Sequence, residues 1–181
     1  IPHGALRFYV MGERGAVHDE IPTDAELAEF GRLVREGLDA GALGFTTSRT
    51  IKHKAADGRF TPSLTATDPE LAAVAEAMRE AGAGVIEANS DFEPGDFERL
   101  RQAAQISGRP LSVLLLQVDN DPERWKTTRD QIHAANEGGV EVTGQVGCRP
   151  IGVMLGLDAT VNPFRTNPAY EAIAHLPLAE R

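Results

Sequence analysis

The sequence predicts an α/β fold built from parallel βα units, and three observations carry that prediction. Four times an amphipathic helix runs through a glycine into an apolar stretch short enough to be a buried strand. The glycines that close the helices, Gly41, Gly82, Gly108 and Gly138, are spaced near the roughly 30 residues of one βα unit, the first interval being longer. The composition, 41% hydrophobic and 25% charged, is that of a globular chain and not of a disordered one.

The first helix starts at Thr23-Asp24-Ala25-Glu26. This is a capping box: the Thr hydroxyl accepts from the N3 amide and the Glu reaches back to the cap amide. Leu27, Phe30, Val34 and Leu38 share one face. Gly41 supplies the left-handed stop, and residues 42–46 follow as a strand. Thr67-Asp68-Pro69-Glu70 repeats the device, with Leu71, Val74 and Met78 as the stripe, Gly82 as the stop and residues 84–88 as the strand. The third helix runs over 94–107, turns Phe97, Leu100 and Ala104 inward, and leads through Gly108 and Pro110 to a strand at 111–116. The fourth opens on Asp121 as cap with Pro122 at the first helical position, ends at Gly138-Gly139, and leads to a strand at 140–144. Trp125 reads as core, and Cys148 as a buried thiol.

Two architectures fit this order: part of a (β/α)8 TIM barrel, or an open doubly wound sheet. No Gly-x-Gly-x-x-Gly follows a strand, which counts against a dinucleotide-binding sheet. A whole barrel takes about 250 residues, so four consecutive units are about half of one. The expectation is a partial (β/α)8 barrel, a single segment over residues 1–181. The chain opens on Ile1 and closes on Arg181 without an initiator Met, so the expectation is a segment of a longer protein, truncated at both ends. A half barrel exposes strand edges, which predicts self-association of the segment.

With 18 basic and 27 acidic residues the net charge is −9. That argues against a nucleic-acid footprint and against docking on an anionic membrane. No apolar stretch approaches the ~18 residues of a membrane span, no signal peptide opens the chain, and the single cysteine cannot form an intramolecular disulfide. The setting expected is the cytoplasm and the partner a small molecule.

In parallel α/β folds the chemistry sits just beyond the strands. Those positions hold Thr46, Thr47, Ser48 and Arg49; Asn89, Ser90 and Asp91; Gln117 and Asp119; and Gln145, Cys148 and Arg149. They suit hydrogen bonding to a polar ligand, and Arg49 or Arg149 suits a carboxylate. Residues 48–66 form a long polar connection without periodicity, expected to act as a lid or binding loop. None of the five histidines forms His-x-His or His-x-x-x-His. His3 is the serious site candidate among them, with His53 on the lid. No P-loop or Gly-x-Ser-x-Gly elbow occurs.

His3-Gly4-Ala5-Leu6-Arg7 with Val10-Met11-Gly12, and Gly41-Ala42-Leu43-Gly44-Phe45-Thr46-Thr47 after a Thr-x-x-Glu helix, resemble the N-acyl-D-amino-acid deacylases. These are the D-aminoacylase branch of the amidohydrolase superfamily. The motif match covers about the first 50 residues. The resemblance implies a metal-dependent TIM barrel that hydrolyses the amide of an N-acyl-D-amino acid. There one or two zinc ions activate water and a carboxylate moves the protons. The family's first-strand His-x-His, bridging Cys and last-strand Asp fall outside this chain. Where the family has a zinc-ligating His after one strand, this chain has Asn89 within Glu87-Ala88-Asn89-Ser90-Asp91. Where it has Ser-His-His-Lys after the next, this chain has Leu114-Leu115-Leu116-Gln117. Amides and alkyl groups are poor zinc ligands. The resemblance therefore implies zinc for the whole protein and none on this segment, and leaves the segment alone inactive.

On this reading Asp91 is the carboxylate placed to act in catalysis. His3 and Arg7 line the pocket, Arg49 or Arg149 binds a substrate carboxylate, and Asn89, Gln117 and Gln145 orient substrate or water. The alternative is a catalytically silent barrel serving as a small-molecule binding or assembly protein.

Overall fold

The computed structural model describes residues 1–55, 57–118, 121–149, 155–157, 159, 162–164 and 167–181. Its elements are helix α1 (His3–Met11), a 3-10 turn (Gly12–Ala16), α2 (Asp24–Asp39), β1 (Gly44–Arg49), α3 (Asp68–Ala81), β2 (Val85–Ser90), α4 (Asp96–Ser107), β3 (Leu111–Leu114), α5 (Arg124–Glu137), β4 (Val142–Gln145), α6 (Pro168–Glu171) and a 3-10 turn (Leu178–Glu180).

The four strands make one parallel sheet in the order β1-β2-β3-β4. Each unit adds its strand beside the previous one, as in a barrel, whereas a doubly wound sheet reverses direction at a switch point. The α/β class and the partial barrel read from the sequence are therefore the fold found. Thr46, Glu87, Ser112 and Thr143 pair in one row across the sheet. Residues 1–2 lie along the outer edge of β1, where Pro2 bridges Thr46 in parallel and the Thr46 amide donates to the Ile1 carbonyl at 3.0 Å.

The core is one cluster between sheet and helices: Phe30, Val34 and Leu38 of α2, Leu71, Val74 and Met78 of α3, and Phe97, Leu100 and Ala104 of α4 meet Phe45, Ile86, Leu111 and Val113. These are the stripes that the helical spacing marked. Burial alternates along the strands. Phe45, Thr47, Ile86, Ala88 and Ser90 are buried, while Thr46, Ser48, Glu87 and Asn89 lie on the less covered face.

Several local readings are corrected. The Thr23–Glu26 capping box forms as predicted, but its apparent copy does not: Thr67 makes no side-chain cap bond. Glu70 is turned inward instead, where the buried charge of Arg7 holds its carboxylate. Helix α5 begins at Arg124 rather than beside Asp121, whose amide is spent on the Val118 carbonyl at 3.2 Å. Trp125 is half-buried between Lys126 and Arg129, not core, because α5 buries only Thr128 and Ala135. Cys148 is exposed, just past the end of β4. Helix α1 had no sequence signature: Pro2 offers no capping side chain and Gly4 sits in its first turn, so packing and not propensity sustains it.

Candidate active site

Asp91 follows β2 directly and is fixed from three sides. Its amide donates to the Arg49 carbonyl at 3.1 Å. Its carboxylate accepts from the Thr50 hydroxyl and from the Ile51 amide, each at 2.8 Å. Its carbonyl accepts from Arg124 at 2.7 Å. Lys52 Nζ stands 3.8 Å from the same carboxylate.

The next residue, Phe92, holds φ at +51°, the single positive φ outside glycine among the described residues. That conformation costs about 1–3 kcal/mol and persists only where its surroundings over-determine it. Here they do. The Phe92 amide donates to Ser90 Oγ at 2.8 Å, Ser90 Oγ donates to Asp96, and Arg49 donates to the other oxygen of Asp96 twice at 3.1 Å. Arg49 and Asp96 are both buried.

Beside this turn a second group gathers on the less covered face of the sheet. His53, from the loop after β1, places Nδ1 2.7 Å from Ser48 Oγ and Nε2 3.3 Å from the Asn89 amide nitrogen. Glu87 stands two residues before Asn89 on that face. Burial pushes its carboxyl up from the ordinary value, with His53 opposing the shift. The loop itself is folded and not open: Lys54 and Phe60 pair in an antiparallel bridge, Lys54 Nζ lies 3.1 Å over the Phe60 ring, and Ser63 Oγ donates to the Ser48 carbonyl at 2.8 Å.

Between the strand ends and α5 lies a cleft of about 510 Å³, of the size that holds small molecules. Lys52, His53, Asn89, Asp91 and Arg124 supply its polar groups, and Phe92, Leu114, Leu116, Val118 and Leu155 its apolar wall. A second cleft of about 650 Å³ lies on the other side of Asp91, against the starts of α3 and α4, where Arg49 and Asp96 are already paired with each other.

The residues singled out from the sequence thus part company. Asn89 and Asp91 come together in the smaller cleft. His3 and Arg7 do not line either cleft; both are buried in a cluster of their own. His3 Nε2 is 2.6 Å from Glu70, and His3 Nδ1 is 2.9 Å from the Thr47 hydroxyl. Arg7 grips both Glu70 oxygens at 2.8 and 2.7 Å and donates to the carbonyls of Val17 and Glu20. Arg49 is spent on Asp96 and on the Ala66 carbonyl. Gln145 donates to Ser112 Oγ at 2.7 Å, while Gln117 and Arg149 are exposed and line neither cleft. Asp119 lies outside the described residues.

Sequence reasoning passed over Glu87, Lys52 and Arg124. Period-two alternation alone puts Glu87 on the face of Asn89, so that signal was present. Lys52 and Arg124 carried none, since the first lies in an irregular loop and the second enters the cleft from a helix start.

The described residues do not fit a zinc ion. No three His, Cys, Asp or Glu side chains among them converge as ligands would. Both nitrogens of His53 and both carboxylate oxygens of Asp91 already face protein groups. No helix among them is long and apolar enough to cross a membrane.

No curated protein and no solved structure matches the chain significantly. The amidohydrolase family model does, over residues 1–180. Its match spans the sheet of consecutive parallel strands and the cleft at their ends, and the chain belongs to the amidohydrolase family.

Proposed function

We propose that the protein hydrolyses the amide bond of an N-acyl-D-amino acid or a similar acylated small molecule, in the cleft that Asp91 and Asn89 share. Membership of the amidohydrolase family supports hydrolysis of a C–N bond. The observation that carries the finer reading is the position of Asp91. It stands at the end of a parallel strand, in the turn held by Phe92, in a cleft with a basic rim. Asp91 and Asn89 orient the scissile amide and the attacking water, and Lys52 faces the carboxylate of the amino-acid moiety. Zinc, which the deacylases use, belongs in this reading to parts of the protein beyond the described donor set.

The test is amine release from paired N-acetyl-D- and N-acetyl-L-amino acids by the full-length protein. Turnover of the D series, reduced at least ~100-fold by Asp91→Asn, is the expected result. Turnover unchanged by that substitution sinks the role of Asp91. A second reading, a binding protein without turnover, is favoured by one observation: Asn89 and Leu116 face the cleft where the deacylases that the sequence resembles carry zinc-ligating histidines. Saturable binding of the same compounds with no amine released is its signature.

A further inference from the structure

The 510 Å³ cleft is divided by chemistry. Its apolar lining is Phe92 after β2, Leu114, Leu116 and Val118 along the exit of β3, and Leu155. Its charged lining sets two cations, Lys52 and Arg124, around one carboxylate, Asp91, with His53 beside them. Asp91 stays close to Lys52, and Arg124 is held at the rim by its bond to the Asp91 carbonyl. In a chain of net charge −9, this cleft is locally basic. A cleft lined by apolar side chains and by two cations fits an amphipathic anion, with a hydrocarbon tail on the apolar lining and an anionic head at Lys52 and Arg124.

We propose that the cleft selects N-acyl amino acids whose acyl group is a medium-length alkyl chain, laid along Phe92, Leu114 and Leu116, with the carboxylate turned toward Lys52 and Arg124. This rests on the reading of the cleft as the substrate site and narrows it to one substrate class. An acetyl group would leave most of the apolar wall in water. Each methylene moved from water onto such a wall strengthens binding roughly four-fold.

The experiment is isothermal titration of the full-length protein with N-acetylglycine, N-octanoylglycine and octylamine. The expected result is N-octanoylglycine bound at least ~10-fold more tightly than N-acetylglycine, and at least ~10-fold more tightly than octylamine, whose cationic head meets Lys52 and Arg124. Leu116→Gln should weaken the octanoyl compound and leave the acetyl compound unchanged; Lys52→Gln should weaken both. The ligand series on the unaltered protein carries the test if either variant fails to fold. Equal affinity for the two acyl lengths overturns the apolar subsite, equal affinity for the octylamine overturns the basic rim, and no binding of any of the three overturns both. Tight binding of N-octanoylglycine, with no amine released from the paired N-acetyl-D- and N-acetyl-L-amino acids, leaves this inference standing and sinks the hydrolase reading. Hydrolysis of acetyl compounds with no preference for longer chains does the reverse.

Discussion

Glu70 occupies the position that would close a capping box with Thr67, yet its Oε1 lies 2.6 Å from Nε2 of His3, on the far side of its own helix start. Two four-residue segments of nearly the same sequence, Thr23-Asp24-Ala25-Glu26 and Thr67-Asp68-Pro69-Glu70, therefore do different work. In the first, Thr23 and Glu26 cap each other. In the second, the Glu neutralises the buried Arg7 and orients His3, and the Thr is left without a cap bond.

Alanine at the two threonines should expose this difference. Thr23→Ala removes a cap and should cost about 1 kcal/mol. Thr67→Ala removes none and should stay within ~0.5 kcal/mol of the parent. Urea denaturation of both variants measures the contrast; equal losses would mean that the second box forms in solution.

The same cluster makes stability depend on pH. Burial, with Arg7 and Arg49 nearby, lowers the pKa of His3 from its ordinary 6.5, although Glu70 pulls it the other way. The folded ring is thus neutral, donating from Nε2 to Glu70 and accepting at Nδ1 from Thr47. Burial alone would raise the carboxyl of Glu70, but its bonds from His3 and Arg7 outweigh that and hold it below 4.5. Both shifts have one sign: over each window the unfolded chain binds the additional proton, so stability rises with pH. The His3 contribution is present above pH 6.5 and is lost as pH falls below it, with a slope of at most about 1.4 kcal/mol per pH unit. Glu70 adds a second loss below pH 4.5. Unfolding free energy measured from pH 8 to 4 should show the first step in the parent and not in His3→Gln. A flat profile down to pH 5 would mean that the folded ring takes up its proton.

The frame of this fold is written in regular spacing. Helix stripes such as Phe30-Val34-Leu38 and the strands of β-branched and apolar residues follow from side-chain period alone, and they fixed the parallel order. The Asn89–Asp91 corner of the cleft was legible for the same reason, as polar residues at the end of an apolar strand. His3, Arg7 and Arg49 were misplaced because a polar residue near a strand end has two uses. Which use it takes depends on partners distant in sequence, Glu70 for Arg7 and Asp96 for Arg49. Local spacing carries no information about such pairs. His53 shows the same limit from the other side: an irregular loop has no period to read, and only the folded chain brings it to Ser48 and Asn89.

Gly44 opens β1 at a place where no side chain fits. Its φ is +153°, and a Cβ there would stand 2.0 Å from the Val85 carbonyl oxygen. Val85 is its paired residue on β2, so relief would require the strands to part. Gly44→Ala should destabilise the protein by at least about 1–3 kcal/mol, the cost of a backbone forced out of its allowed region, before the steric overlap is counted. Chemical denaturation measures it. A loss below ~0.5 kcal/mol would mean that β1 and β2 do not pair at this residue.

Asp91 ties down the loop as well as lining the cleft. Its two carboxylate oxygens take the Thr50 hydroxyl and the Ile51 amide, the first two residues past β1, so the loop leaves the strand in one direction only. Hydrogen bonds to a charged acceptor are worth about 1.5–3 kcal/mol each. Losing one of them should raise the open population of the loop roughly 10- to 100-fold, and losing both at least ~100-fold. Lys52, Lys54 and Arg59 place tryptic sites in that loop. Under native conditions Asp91→Ala should therefore speed cleavage there by at least ~100-fold. Thr50→Val, which removes one of the two bonds and leaves the carboxylate in the cleft, should speed it less. If cleavage of Asp91→Ala matches the parent, the loop is held by the Ser63–Ser48 bond and the Lys54–Phe60 pairing instead, and Asp91 is free to meet substrate with both oxygens.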